Sequence, residues 1–191
     1  MRYDKGRKDE TRRHILDVAS AQFRESGIAA VGLAGIMSEA GLTNGAFYSH
    51  FASKEELVRE VLTDALTRRE ERHKANLENG VALETTIRDY LSTRHRDRAG
   101  SGCPTAALVA EIARHPKATR DAFTGKVADI IVLMAEQIRQ GSAKERRRKS
   151  ITIYSTMVGA LQLARAVNDK ALSDEILENA VEAAIAIASD R

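Results

Sequence analysis

Between Thr43 and Lys54 the chain gathers small, polar and basic side chains in an order that could recognise a nucleic acid. On a helical wheel, Phe47 and Phe51 fall on one side, while Gly45, Ala46 and Ser49 fall on the other. Tyr48 and His50 flank that outer face, and Asn44 stands at its front. A helix that is small and polar on its outer face can press into the DNA major groove. There the Asn44 amide can pair with a base edge and Ala46 can meet a thymine methyl. Tyr48, Ser49 and His50 can reach phosphates. Lys54 opens the next helix, where free N–H groups also favour phosphate. Each of these residues alone is an ordinary surface group; their order carries the argument.

That order needs elements to hold it. A first helix starts near Asp9 or Glu10, carries the stripe Ile15, Val18, Ala19 and Phe23, and stops at Gly27. A second covers roughly Leu33 to Glu39, with Leu33, Ile36, Met37 and Ala40 inward. Gly41 supplies a tight turn, and Thr43 caps a third helix over Asn44 to His50. Ser53 and Glu56 read as a capping box for a fourth. It carries Leu57, Val61, Leu62, Ala65 and Leu66, then turns strongly charged from Arg68 to Lys74. Further helices follow from Leu83, from Pro104, from Pro116, from about Lys144 to Val167 and from about Ser173 to Ala188. The expected fold is all-α with about nine helices. Residues 1–52 form a helix-turn-helix head and 53–191 a larger helical effector-binding and dimerisation body.

Composition narrows the function. With 43% hydrophobic and 30% charged residues, and two prolines among 191 residues, the chain is globular and helical. A net charge of +3 suits nucleic acid without proving it. One cysteine excludes an internal disulfide. The five histidines are scattered, and no phosphate loop, nucleotide fingerprint or nucleophile motif is present. No metal, no cofactor and no enzymatic activity are therefore expected. Glu111 and His115, four apart, read as a surface ion pair. The start lacks an apolar signal core, and the longest apolar run, Ile130 to Ala135, is too short to cross a bilayer. A cytoplasmic protein with no membrane partner is expected. The basic residues Arg2, Lys5, Arg7, Lys8, Arg12 and Arg13 read either as phosphate contacts or as a solvated tail. Lys144 to Lys149 reads as an exposed helix start rather than a second DNA site.

The segment EAGLTNGAFYSHFASKEEL (39–57) resembles the helix-turn-helix of the TetR family of transcriptional repressors. GALQLARAV (159–167) and LSDEIL (172–177) resemble the dimerisation helices of one branch of that family. The resemblance implies base contacts near Thr43, Asn44, Gly45, Ala46 and Tyr48, and phosphate contacts at Tyr48, Ser49, His50 and Lys54. The chain departs from the family pattern at Gly32, where a Ser or Thr cap is usual, and at Gly35, where a charged residue is usual. The implied protein is a ligand-responsive repressor. It binds a palindromic double-stranded DNA operator as a homodimer and is released by a small-molecule effector. The alternative is a helical small-molecule-binding or partner-binding protein without operator function.

Small residues on the last two helices, Ser155, Gly159, Ala160, Ala164, Ala180 and Ala184, would let helices of two copies approach closely at a dimer interface. The resemblance places an effector pocket among the middle helices, with Tyr90, Cys103, Leu108, Ile112, Phe123, Val127, Ile130, Met134 and Met157 as candidate lining. An apolar stripe at this spacing is equally what a plain core needs. Cys103 at a helix start suits an oxidant or electrophile sensor, or a buried inert thiol.

Overall fold

Helical periodicity runs through nearly the whole chain, and the computed structural model is built accordingly. It describes residues 3–189, with side chains from Gly6 onward. Among the described residues there are ten α-helices and no strand. They are α1 (Tyr3–Ser26), α2 (Leu33–Glu39), α3 (Asn44–Phe47), α4 (Lys54–Glu78), α5 (Leu83–Tyr90), α6 (Thr93–Asp97), α7 (Pro104–Ile112), α8 (Lys117–Gln137), α9 (Ala143–Ala166) and α10 (Lys170–Ser189). A 3-10 turn, Ala99–Ser101, joins α6 to α7. None of these helices is long and apolar enough to cross a membrane.

The head is α1 to α3 and the first turns of α4. Its core joins Ile15, Ala19, Phe23, Ile36, Met37, Phe47, Phe51, Leu57, Val61 and Leu62, the stripes that the spacing places inward. Leu108 and Ile112 of α7 belong to the same core, so the head is welded to the body rather than strung beside it. The second core packs α5, α8, α9 and α10 around Ile87, Met134, Ile153, Met157 and Leu161. Phe123 of α8 packs against both.

Polar links repeat the weld. The Glu111 carboxylate accepts hydrogen bonds from the Ile28 and Ala29 N–H groups at 3.0 and 2.8 Å. His115 meets Glu55 at 2.9 Å instead, so the expected Glu111–His115 pair does not form. Both side chains face α1 and α4 across the joint, where they satisfy groups that a helix surface cannot. Arg24 Nε donates to the Gly100 carbonyl at 2.6 Å.

Several boundaries differ from the expectation. α1 begins at Tyr3, because the charged stretch before Asp9 continues the helix into solvent. α6 is a helix that the sequence did not announce, being five residues with no apolar stripe. Thr43 sits at the N-cap of α3, but its side chain makes no capping bond. α3 is regular only to Phe47. It then tightens: His50 N–H donates to the Phe47 carbonyl at 2.9 Å, a three-residue step. Ser53 caps α4 by accepting from Glu56 N–H, while the Glu56 carboxylate reaches back to Ala52 N–H rather than to Ser53.

Phe47 and Phe51 stack with ring centres 5.6 Å apart and are 1% and 2% exposed. Phe47→Ala is expected to cost about 3–5 kcal/mol of stability, whereas Tyr48→Ala next to it should change stability by no more than about 0.5 kcal/mol. Chemical denaturation of the two variants checks the contrast.

Candidate nucleic-acid interface and interior cavity

The outer face of α3 follows from the burial of its inner one. With Phe47 and Phe51 sunk in the head core, Thr43, Asn44, Gly45 and Ser49 are exposed and Ala46 is half-buried. Tyr48 stands out at 69% exposed, edge-on to Phe47 with ring centres 5.2 Å apart. The turn before α3 depends on Gly41, whose φ of +69° is a left-handed backbone that other residues adopt at a cost. Gly32 and Gly35 are open to solvent, so nothing in the fold demands glycine there.

One side chain expected to contact phosphate is otherwise engaged. Lys54 Nζ donates to the Ile28 carbonyl at 2.6 Å, which ties the start of α4 to the α1–α2 loop. Burial lowers the His50 pKa, with help from the positive field of Lys8 and Arg12, so this ring is neutral near pH 7. Arg12 and Arg13 are engaged within the head. Arg12 pairs with Glu60 and lies 4.6 Å over the Phe51 ring. Arg13 grips Asp64 with two hydrogen bonds of 2.6 and 2.9 Å. Both staple α1 to α4. The side chain of Lys5, and all of Arg2, lie outside what the structure describes.

The exposed stripe of small residues is narrower than expected. Ala164, Ala180 and Ala184 are buried in the protomer's own core between α9 and α10, so they offer no outer surface. Ser155 and Gly159 are exposed and Ala160 is half-buried. Exposed apolar side chains beside them, Ile151 and Leu163 on α9 and Leu172 on α10, extend that outer face.

The cavity differs most. Of the nine residues expected to line it, only Tyr90 does. Leu108 and Ile112 fill the head core; Cys103, Ile130, Met134 and Met157 fill the body core, with Phe123 and Val127 packed against it. A cavity of about 370 Å³ lies instead against the charged half of α4. Arg69, Arg72, His73 and Asn76 line it from α4, Thr86, Asp89 and Tyr90 from α5, and Arg94, His95 and Arg98 from the α6 region. The signal was present in the sequence: residues 69, 72, 73 and 76 share a helix face.

The histidines of this cavity are held neutral. Burial first, then Arg69 and Arg72, lower the His73 pKa to about 4. Burial likewise lowers His95 to about 4, against a hydrogen bond to the Tyr90 carbonyl. Geometry fixes the His95 tautomer: Nδ1–H donates to that carbonyl at 2.6 Å, and Nε2 accepts from Cys103 N–H at 2.9 Å. Protonating Nε2 would break the second bond. Cys103 is fully buried at the N-cap of α7. Burial pushes its thiol up, but the Arg69 guanidinium together with hydrogen bonds from Tyr90 and the Ala106 and Thr105 backbone leaves the pKa below its ordinary value.

A three-helix head that turns one short polar helix outward, joined by one long helix to a larger all-helical body, defines a DNA-binding regulator of the helix-turn-helix class. The description "Bacterial regulatory proteins, tetR family" matches residues 15–61, and "Tetracyclin repressor-like, C-terminal domain" matches residues 81–180, more than half of the chain. The chain belongs to the TetR family of transcriptional regulators. It is 43% identical over 60 residues to the HTH-type transcriptional regulator AcrR of Shigella flexneri, covering 31% of this chain and 28% of that one. It is 29% identical over 92 residues to the HTH-type transcriptional repressor KstR2 of Rhodococcus jostii, covering 48% and 45%. These matches thus span less than half of the curated relatives. Among solved structures, Escherichia coli NemR in its reduced form superposes with a TM-score of 0.76 at 23% identity, over 92% of this chain and 95% of that one. A TetR-family regulator from Agrobacterium tumefaciens gives 0.75 at 20%, over 92% and 98%. At such identities the likeness is one of fold.

His73 and His95 give stability a pH dependence of definite sign. Above pH 6.5 both folded and unfolded chains hold them neutral. Below it the unfolded chain takes up protons that the folded one refuses, so stability falls until about pH 4. The loss is at most roughly 3 kcal/mol per histidine. Thermal melts from pH 7 to 4 should show a falling Tm, and His73→Gln should flatten part of that slope.

Proposed function

We propose that the chain is a ligand-responsive transcriptional repressor that binds a near-palindromic operator as a homodimer and leaves it when a small molecule enters the cavity. The observation that carries this reading is the course of α4. One unbroken helix, Lys54–Glu78, starts beneath α3 and ends along the cavity wall. A ligand bearing on Arg69, Arg72 or His73 pushes on the same rod that holds Leu57, Val61 and Leu62 in the head core. A rod moves as a unit, so a small shift at the cavity becomes a change in the angle of the head. Release then requires only that the ligand favour one head spacing over the other by about 1–3 kcal/mol.

On the DNA side, Asn44, Gly45 and Ala46 face the base edges, with Thr43 at the front of the helix. Tyr48 and Ser49 reach the phosphates beside them. His50, neutral, serves as a hydrogen-bonding group, and Lys54 acts by fixing the α4 end, where the helix dipole favours phosphate. One such helix reads few base pairs. Pairing two copies through Ser155, Gly159, Ala160 and the exposed Ile151, Leu163 and Leu172 doubles the site, with half-sites about 34 Å or a multiple of that apart.

A gel shift with the DNA upstream of the protein's own gene tests the reading. Wild-type protein should retard that fragment. Tyr48→Ala should weaken binding by at least about tenfold and leave helix content and dimer mass unchanged. Retention of full affinity by Tyr48→Ala would remove Tyr48 from the interface. Absence of any shift would favour a helical binding protein without operator function.

A further inference from the structure

The cavity against α4 carries an excess of positive side chains, Arg69, Arg72, Arg94 and Arg98 against Asp89. Five arginines elsewhere are paired with carboxylates: Arg12 with Glu60, Arg13 with Asp64, Arg68 with Asp17, Arg88 with Glu84 and Arg96 with Asp174. Arg69, Arg72, Arg94 and Arg98 meet no carboxylate among the described residues, and all four line the cavity beside one acid, Asp89. Arg69 lies 4.7 Å over the Tyr90 ring, a stacking contact that orients the guanidinium without neutralising it.

The walls also hold polar atoms shielded from solvent and left without hydrogen-bond partners. Arg69 Nε, His73 Nδ1 and Thr86 Oγ1 are three of them, and each belongs to a residue lining this one space. His73 and Thr86 are themselves more than nine-tenths buried. A buried polar group without a partner is costly, and such groups gathered around one void mark a place where a partner belongs. Arg69, Thr86 and the neutral His73 ring all carry N–H or O–H donors. The missing partner is therefore an acceptor, and four unpaired guanidinium groups set its charge.

We propose that this cavity binds a small organic oxyanion, a carboxylate or a phosphate ester, whose acidic group lies between Arg69 and the rim arginines Arg72, Arg94 and Arg98. Planar guanidinium groups suit the two-oxygen geometry of either acid. Apart from the Tyr90 ring, the lining offers little apolar surface, so the ligand is a compact polar acid rather than a greasy one. As the effector class of the regulator, this assignment rests on the preceding reading; as a binding site, it stands without it.

The depressed His73 pKa agrees with this charge, since Arg69 and Arg72 contribute to it. An anion among those arginines would offset their field and raise that pKa.

The test uses the full-length protein at constant ionic strength. Acetate, benzoate, succinate, citrate and glycerol phosphate are each compared with the matching neutral amide or alcohol by thermal shift and calorimetry. At least one acid should raise Tm while its neutral counterpart does not, and the carboxylate and phosphate arms show which acid is preferred. Arg69→Gln should weaken that acid by at least about tenfold, the scale of a lost charge-assisted hydrogen bond. Arg72→Gln, on the exposed rim, serves where Arg69→Gln fails to fold; Arg146→Gln, on the surface of α9, should bind as wild type. Equal shifts from acid and neutral counterpart, no shift from any acid, or full affinity in both cavity variants would overturn the proposal. The same acids are added to the gel shift. An acid that binds the cavity but leaves DNA binding unchanged refutes the effector reading and keeps the site. DNA release by neutral compounds alone, with no acid bound, does the reverse.

Discussion

Burial of Phe47 and Phe51 is the constraint on which the rest of the head depends. The two rings occupy one side of α3 and sink into a core shared by α1, α2 and α4. A helix of so few residues has no stability of its own, and its direction is set wholly by that packing. Once the rings are fixed, Asn44, Gly45, Tyr48 and Ser49 must face outward. The absence of bulk at Gly45 and Ala46 then becomes useful, because it lets the backbone come close to whatever the helix meets. The arginines nearby add rigidity: Arg12 covers Phe51 and both Arg12 and Arg13 tie α1 to acids on α4.

The same packing makes the head inseparable from the body. Leu57, Val61 and Leu62 of α4 lie in the head core, and Leu66 of the same helix lies in the body core. α7 repeats this with Leu108 and Ile112, and its Glu111 closes the N–H groups of the α1–α2 loop. Motion of the head therefore requires motion of α4 and α7, not flexing of a linker. The cavity lies along the last turns of α4.

The head was legible because local signals agree there. The turn at Gly41, the Ser53 cap and the paired phenylalanines each specify the same arrangement from within a few residues. The long helices were equally legible from their apolar period. The cavity was not, because its walls come from α4, α5 and the α6 region, which meet only through tertiary packing. The spacing of Arg69, Arg72, His73 and Asn76 stood in the sequence, but a charged helix face is usually a solvated one, and only the position of α5 against it shows otherwise. The apolar residues expected to line a pocket fill the cores instead, since a stripe that packs well leaves no room. The buried alanines of α9 and α10 follow the same logic: a small residue permits close approach but does not say to which neighbour. α6 escaped notice for want of any stripe.

Selection of bound fragments from random double-stranded DNA tests the central claim most directly. Wild-type protein should enrich a two-fold related pair of half-sites. Asn44→Ala should bind with relaxed preference at one position in each half-site, since it removes a base-edge contact without altering the fold. Recovery of no preferred sequence by the wild-type protein, or of an unchanged sequence by Asn44→Ala, would contradict the account that the outer face of α3 reads DNA.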